Sequence, residues 1–134
     1  MAIEKILIVD DALSTRELLS AFFASSDYQV SFASGGREAA ALVAKKPFDL
    51  VITDMYMPEG DGIELIRKLR RDFPHLPIVA MTGPNVVRAE DYLNQATCLS
   101  VDGILMKPFL RQQVLNLVHQ VDRAAAVRAA ARVA

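Results

Sequence analysis

The sequence is poor in the features that mark specialised classes of protein. Its 134 residues include one cysteine, Cys98, no tryptophan and two histidines. A lone cysteine cannot close an internal disulfide and fits a reducing compartment. Without a Cys/His cluster there is no zinc-type donor set. No apolar run approaches the roughly 18 residues needed to span a bilayer. The N-terminus, Met1-Ala2-Ile3-Glu4-Lys5, lacks the basic region and apolar stretch of a secretory signal. Neither sign of charge dominates, because 15 Lys and Arg stand against 16 Asp and Glu, a formal net charge of −1. There is no global attraction to nucleic acid or to an anionic membrane. The expectation is a soluble cytoplasmic protein that binds neither membrane nor DNA directly.

What is present is a globular balance, 52% hydrophobic and 23% charged, in a chain the size of one domain. The apolar residues fall in short, separated runs. Ile6-Leu7-Ile8-Val9 ends at Asp10-Asp11, Leu50-Val51-Ile52 at Thr53-Asp54, Ile78-Val79-Ala80-Met81 at Thr82-Gly83, and Ile104-Leu105-Met106 at Lys107-Pro108. Short runs that are apolar on both faces read as strands of a buried parallel sheet. Tyr28 to Ala33 alternates and reads as an edge strand. Helical spacing lies between them. Residues 14–25 carry Leu18, Leu19, Phe22 and Phe23 behind a Ser14 cap with Glu17 three residues on. Residues 36–45, 61–72, 86–96 and 110–122 read as four further helices. Five strands alternating with five helices predict a doubly wound α/β domain over residues 1–122. Residues 123–134 hold seven alanines, three arginines and two valines, and are expected to continue the last helix and fray toward its end. That tail reads as a solvated helix end or as a surface for a partner or a homodimer.

The polar residues that stop the strands all sit at carboxyl ends: Asp10 and Asp11, Asp54, Thr82 and Lys107. In an open α/β sheet, ligands bind at that edge, where the strand order reverses. Three carboxylates gathered there repel one another by about 4 kcal/mol per pair at 4 Å and an effective dielectric of about 20. A divalent cation relieves this, and an oxygen-only donor set favours Mg²⁺ or Mn²⁺. Asp54 is then a candidate nucleophile toward phosphorus, with Lys107 and the Thr82 hydroxyl stabilising the transferred group. Alone, Asp10-Asp11 would be a turn, Thr82 a cap and Lys107 a surface lysine. Met55 and Met57 read as packing, Cys98 as a small buried hydrophobe, and His75 and His119 as solvated.

These residues, in this order, resemble the receiver domain of two-component response regulators. The resemblance runs from about Lys5 to about Val121. It rests on Ile6-Leu7-Ile8-Val9 with Asp10-Asp11, Arg16, Ala33-Ser34-Gly35-Gly36-Arg37-Glu38-Ala39, Asp54-Met55-Tyr56-Met57-Pro58, Asp61-Gly62, Thr82-Gly83 and Lys107-Pro108-Phe109. It implies a flavodoxin-like sheet of order 2-1-3-4-5 and a cis Lys107–Pro108 bond. It implies Asp54 as phosphoacceptor, charged by a histidine kinase or phosphotransfer protein. Asp11, Asp54 and the Tyr56 carbonyl would bind Mg²⁺ directly and Asp10 through water, while Thr82 and Lys107 would hold the phosphoryl oxygens. A downstream protein would then read the surface of residues 86–96, the strand at 104–106 and the last helix.

Three features depart from the family pattern. Ile104 stands where an aromatic ring is usual, so the expected switch works through Thr82 and the 86–96 surface. The stretch from Thr82 to Lys107 is a few residues longer than is common. Tyr56 and Pro84 flank the path of an attacking water and are expected to slow loss of the phosphoryl group. Beyond self-phosphorylation and autodephosphorylation no enzymatic activity is expected. The alternatives are a phosphorelay intermediate, a receiver cut from a larger regulator, an unphosphorylated scaffold, and a phosphatase of the haloacid-dehalogenase type. The last would need a general acid at position 56, where this chain has Tyr56.

Overall fold

The computed structural model describes residues 3–55, 57, 62–83 and 101–133. In chain order the elements are β1 (Lys5–Val9), α1 (Leu13–Phe23), β2 (Gln29–Ala33), α2 (Gly36–Lys45), β3 (Leu50–Asp54), α3 (Gly62–Asp72), β4 (Ile78–Thr82), β5 (Gly103–Met106) and a last helix, here α4 (Arg111–Val133). All strand pairs are parallel and the order is β2-β1-β3-β4-β5, as expected. The helix expected at 86–96 and the position of Cys98 lie outside the described residues. Among those described, no helix is long and apolar enough to cross a membrane.

The doubly apolar runs are explained by two cores, one on each face of the sheet. Strand side chains alternate between them. Leu7, Val9, Val51, Ile78 and Ala80 face α2 and α3, meeting Ala39, Val43, Leu65, Ile66 and Leu69. Ile6, Ile8, Leu50, Ile52, Val79, Met81 and Leu105 face α1 and α4, meeting Leu19, Phe23, Val114, Val118 and Val121. Each fully buried side chain of this size removes enough apolar surface to contribute about 1.5–3 kcal/mol before entropy is counted. Met55 and Met57 are buried in the first core, as their reading as packing requires.

Several local expectations need correction. Ser14 is not the cap of α1. The helix begins at Leu13 behind Ala12, with no side-chain cap bond, and it ends at Phe23. Asp10 instead fixes the turn that leads into the helix, because its Oδ1 accepts the Ala12 N–H at 2.8 Å. Leu18 is 44% exposed, so α1 packs through Leu19 and Phe23 rather than through all four apolar residues. The run at 104–106 is not buried on both faces. β5 is the second edge of the sheet, and Met106 is 54% exposed. Leu110 precedes the last helix and is exposed; its N–H is taken by Gln113 Oε1 at 2.7 Å, which closes that helix start.

The Ala/Arg segment remains helical through Val133. It is also tied to the domain. Arg128 reaches Asp102 Oδ1 at 2.9 Å, while Asp102 Oδ2 accepts the Ile78 N–H at 2.8 Å and an Arg70 N–H at 3.3 Å. One carboxylate thus links the tail, the end of α3 and the start of β4. This knot lies at the amino edge of the sheet, opposite the polar strand ends.

Candidate functional site

Register builds the site. Val9 pairs with Thr53, so Asp10 and Asp54 lie side by side one residue further on. Asp54 pairs with Met81, and Thr82 pairs with Met106, which brings Lys107 to the same edge. The chain departs to β2 on one side of β1 and to β3 on the other, so this is also where the strand order reverses.

The three aspartates converge. Asp10, Asp11 and Asp54 each offer a carboxylate oxygen, and these lie within 4.8 Å of one another. Asp10 is buried, Asp54 half-buried and Asp11 exposed. Lys107 crosses from β5 to bind two of them, with Nζ 2.8 Å from Asp10 Oδ2 and 3.3 Å from Asp54 Oδ2. Burial pushes the Lys107 ammonium down. The hydrogen bond to Asp10 and the charges of Asp54 and Asp10 outweigh that, and the net direction is up. The lysine is therefore a fixed positive charge at neutral pH. The Lys107–Pro108 bond is cis. The Lys107 N–H donates to the Thr82 carbonyl at 2.7 Å, which joins the lysine to the end of β4.

Thr82 is 2% exposed, and its Oγ1 has no hydrogen-bond partner among the described residues. A buried hydroxyl in that condition costs about 1–3 kcal/mol, and such groups in native structures call for a specific explanation. Oxygen donors, a neutralising lysine and an unmet hydroxyl together suit a divalent cation and an anion with several oxygens. Asp10, Asp11 and Asp54 are the side chains that could hold the cation. The position of Tyr56, expected to add its carbonyl, lies outside the described residues, as do Pro58 to Asp61 and Pro84. Ile104 is half-buried in β5, two residues before the exposed Met106.

Two residues that hold Asp54 were not read from the sequence as doing so. Thr53 is fully buried, and its hydroxyl donates to the Asp54 carbonyl at 3.0 Å. Its signal was a hydroxyl residue ending an otherwise apolar strand. Gly62 opens α3 against the same carbonyl. A Cβ there would collide with Asp54 O and lie 2.8 Å from the Asp54 carbonyl carbon and 2.9 Å from that of Met55. Only glycine permits this approach. Its sequence signal was the Asp61-Gly62 pair.

Comparison with known proteins agrees with this geometry. The model of the response regulator receiver domain matches residues 6–119. The chain belongs to that family. Among curated relatives, the response regulator MprA of Mycolicibacterium vanbaalenii is 35% identical over 114 residues, covering 83% of this chain and 47% of that protein. The regulatory protein AtoC of Escherichia coli is 35% identical over 119 residues, 89% of this chain and 25% of that protein. This receiver thus spans about half of MprA and a quarter of AtoC. The chemotaxis protein CheY4 of Vibrio cholerae superposes with a TM-score of 0.80 at 30% identity, covering 90% of this chain and 99% of that one. NtrX of Brucella abortus shares the fold, with a TM-score of 0.89 at 19% identity over 97% of this chain and 29% of that one.

Two outcomes follow from the geometry. Gly62→Ala forces α3 away from the acceptor strand, and urea denaturation should show a loss of about 1–3 kcal/mol; unchanged stability would mean that the approach is not tight. The second concerns pH in the presence of chelator. A raised lysine contributes stability that is complete below its ordinary value of 10.5 and lost as pH rises through the higher folded value. Wild type should therefore lose stability above pH 10.5 that Lys107→Met does not lose, and parallel curves would contradict the ion pair.

Proposed function

We propose that this receiver is a phosphorylation-dependent switch in which Asp54 is the acceptor. The observation that carries the reading is the hydroxyl of buried Thr82, without a partner among the described residues, beside Lys107 and the three aspartates. A phosphoryl oxygen is the acceptor that this hydroxyl lacks.

In the reaction, an Asp54 carboxylate oxygen attacks phosphorus. The bond from phosphorus to the donor's leaving atom breaks, and an aspartyl phosphate forms. Lys107 already touches Asp54 Oδ2, so a small shift brings its ammonium onto a phosphoryl oxygen. Mg²⁺ bound by Asp11 and Asp54, with the Tyr56 carbonyl and with Asp10 through water, would supply charge neutralisation for the phosphoryl oxygens. The donor is a histidine kinase or phosphotransfer protein. The chemistry is limited to the domain's own phosphorylation and dephosphorylation.

The signal then leaves through Thr82 and β5. Lys107 N–H is bonded to the Thr82 carbonyl, so a pull on either residue is felt at the end of both strands. With Ile104 in place of a ring, the response is carried by Thr82 and the segment after it, and is read by a protein partner on β5, α4 and residues 86–96. Residues 1–122 are the switch, and residues 123–134 extend its last helix toward a partner, a second copy or a further part of a larger regulator. A relay role, in which Asp54 passes its phosphoryl group onward, uses the same site.

Incubation with Mg²⁺ and a small phosphoryl donor should give one base-labile phosphate per chain in wild type and none in Asp54→Asn. Equal labelling of the two proteins, or none in either, would overturn the reading.

A further inference from the structure

Asp10 is fully buried, and each of its polar groups has a specific partner. Its N–H donates to the Ala33 carbonyl at 3.1 Å, one step past the end of the β1–β2 ladder. Its Oδ1 accepts the Ala12 N–H and its Oδ2 accepts Lys107, both at 2.8 Å. The carbonyl has no ladder partner left, because pairing with β3 ends at Val9 and Thr53. Arg16 supplies the missing donor. Its Nη1 donates to the Asp10 carbonyl at 2.7 Å from the first turn of α1, six residues along the chain.

We propose that Arg16 is a positioning residue for the divalent-cation site, acting through the backbone of Asp10. The chain turns out of the sheet at Asp10-Asp11, and nothing regular fixes the peptide there. The Arg16 guanidinium locks it between β1 and α1, with the Arg16 N–H bonded to Ala12 O at 3.2 Å closing the same turn. The turn in turn aims one carboxylate at Lys107 and keeps Asp11 next to Asp54. A released carbonyl would let the Asp10-Asp11 peptide rotate and spread the oxygens that now lie within 4.8 Å.

Arg16 is also a cation near a cation site, and this makes the sign of the effect decisive. If it acted only by charge, removing it would tighten Mg²⁺ binding. If it positions the ligands, removing it weakens binding despite the more favourable field. Changes in groups that orient metal ligands typically cost about 10–100-fold in affinity.

The inference rests on the Mg²⁺ reading above, and the experiment separates the two. Mg²⁺ is titrated calorimetrically into wild type, Arg16→Met and Arg16→Lys, with thermal unfolding of each recorded without metal. The expected result is about tenfold weaker binding in Arg16→Met, with partial recovery in Arg16→Lys, which restores a donor. Unchanged or tighter binding in Arg16→Met, including unchanged binding with a lowered Tm, overturns the positioning role alone. No Mg²⁺ binding by wild type overturns the cation site itself. Should Arg16→Met fail to fold, Arg16→Ala, which also lacks a donor, carries the test with the same two outcomes.

Discussion

The contact on which the polar edge depends is the grip of Lys107 on Asp10 and Asp54, at 2.8 and 3.3 Å. It joins the last strand to the first and third across the end of the sheet. Three carboxylates within 4.8 Å could not be kept so close by packing alone. The lysine offsets part of their repulsion and is itself held charged by them. The cluster is thus tolerable without metal yet still short of positive charge, which is the condition a divalent cation and a phosphoryl group can both use. The same lysine is bonded through its backbone to Thr82, so the charge balance is connected to the main chain of β4.

The rest of the fold serves to hold these ends level. Two apolar cores fix the strands on both faces, and the parallel register then sets Asp10 beside Asp54 without further adjustment. Around Asp54 the tolerances are narrow. Thr53 holds its carbonyl from within the strand, and Gly62 lets α3 start in contact with it. At the opposite edge Asp102 gathers α3, β4 and the long tail of α4, away from the chemistry.

Much of this was legible in the sequence because a parallel sheet covered on both faces needs apolar runs, and a site at the strand ends must interrupt them. The pattern Ile6 to Asp11 or Leu50 to Asp54 therefore displays strand and site together. The pairing of Asp10, Asp11, Asp54, Thr82 and Lys107 at one edge followed from topology alone. What could not be read was long-range or geometric. That Met106 would be exposed depends on β5 being an edge, which composition does not encode in a three-residue run. The start of α1 was misplaced because the turn that Asp10 closes on the Ala12 N–H lets the helix begin at Leu13, ahead of Ser14. The approach of Gly62 to the Asp54 carbonyl and the reach of Arg16 to Asp10 are contacts between elements, visible only once the turns are folded.

The most direct measurement of the account is a crystal structure of the protein grown with Mg²⁺ and beryllofluoride, a mimic of the phosphoryl group. Beryllium is expected on an Asp54 carboxylate oxygen, with Lys107 Nζ and Thr82 Oγ1 each within hydrogen-bond distance of a fluorine and Mg²⁺ against Asp11 and Asp54. Beryllofluoride bound elsewhere, or Thr82 Oγ1 left without a partner in a complex that does form, would contradict it.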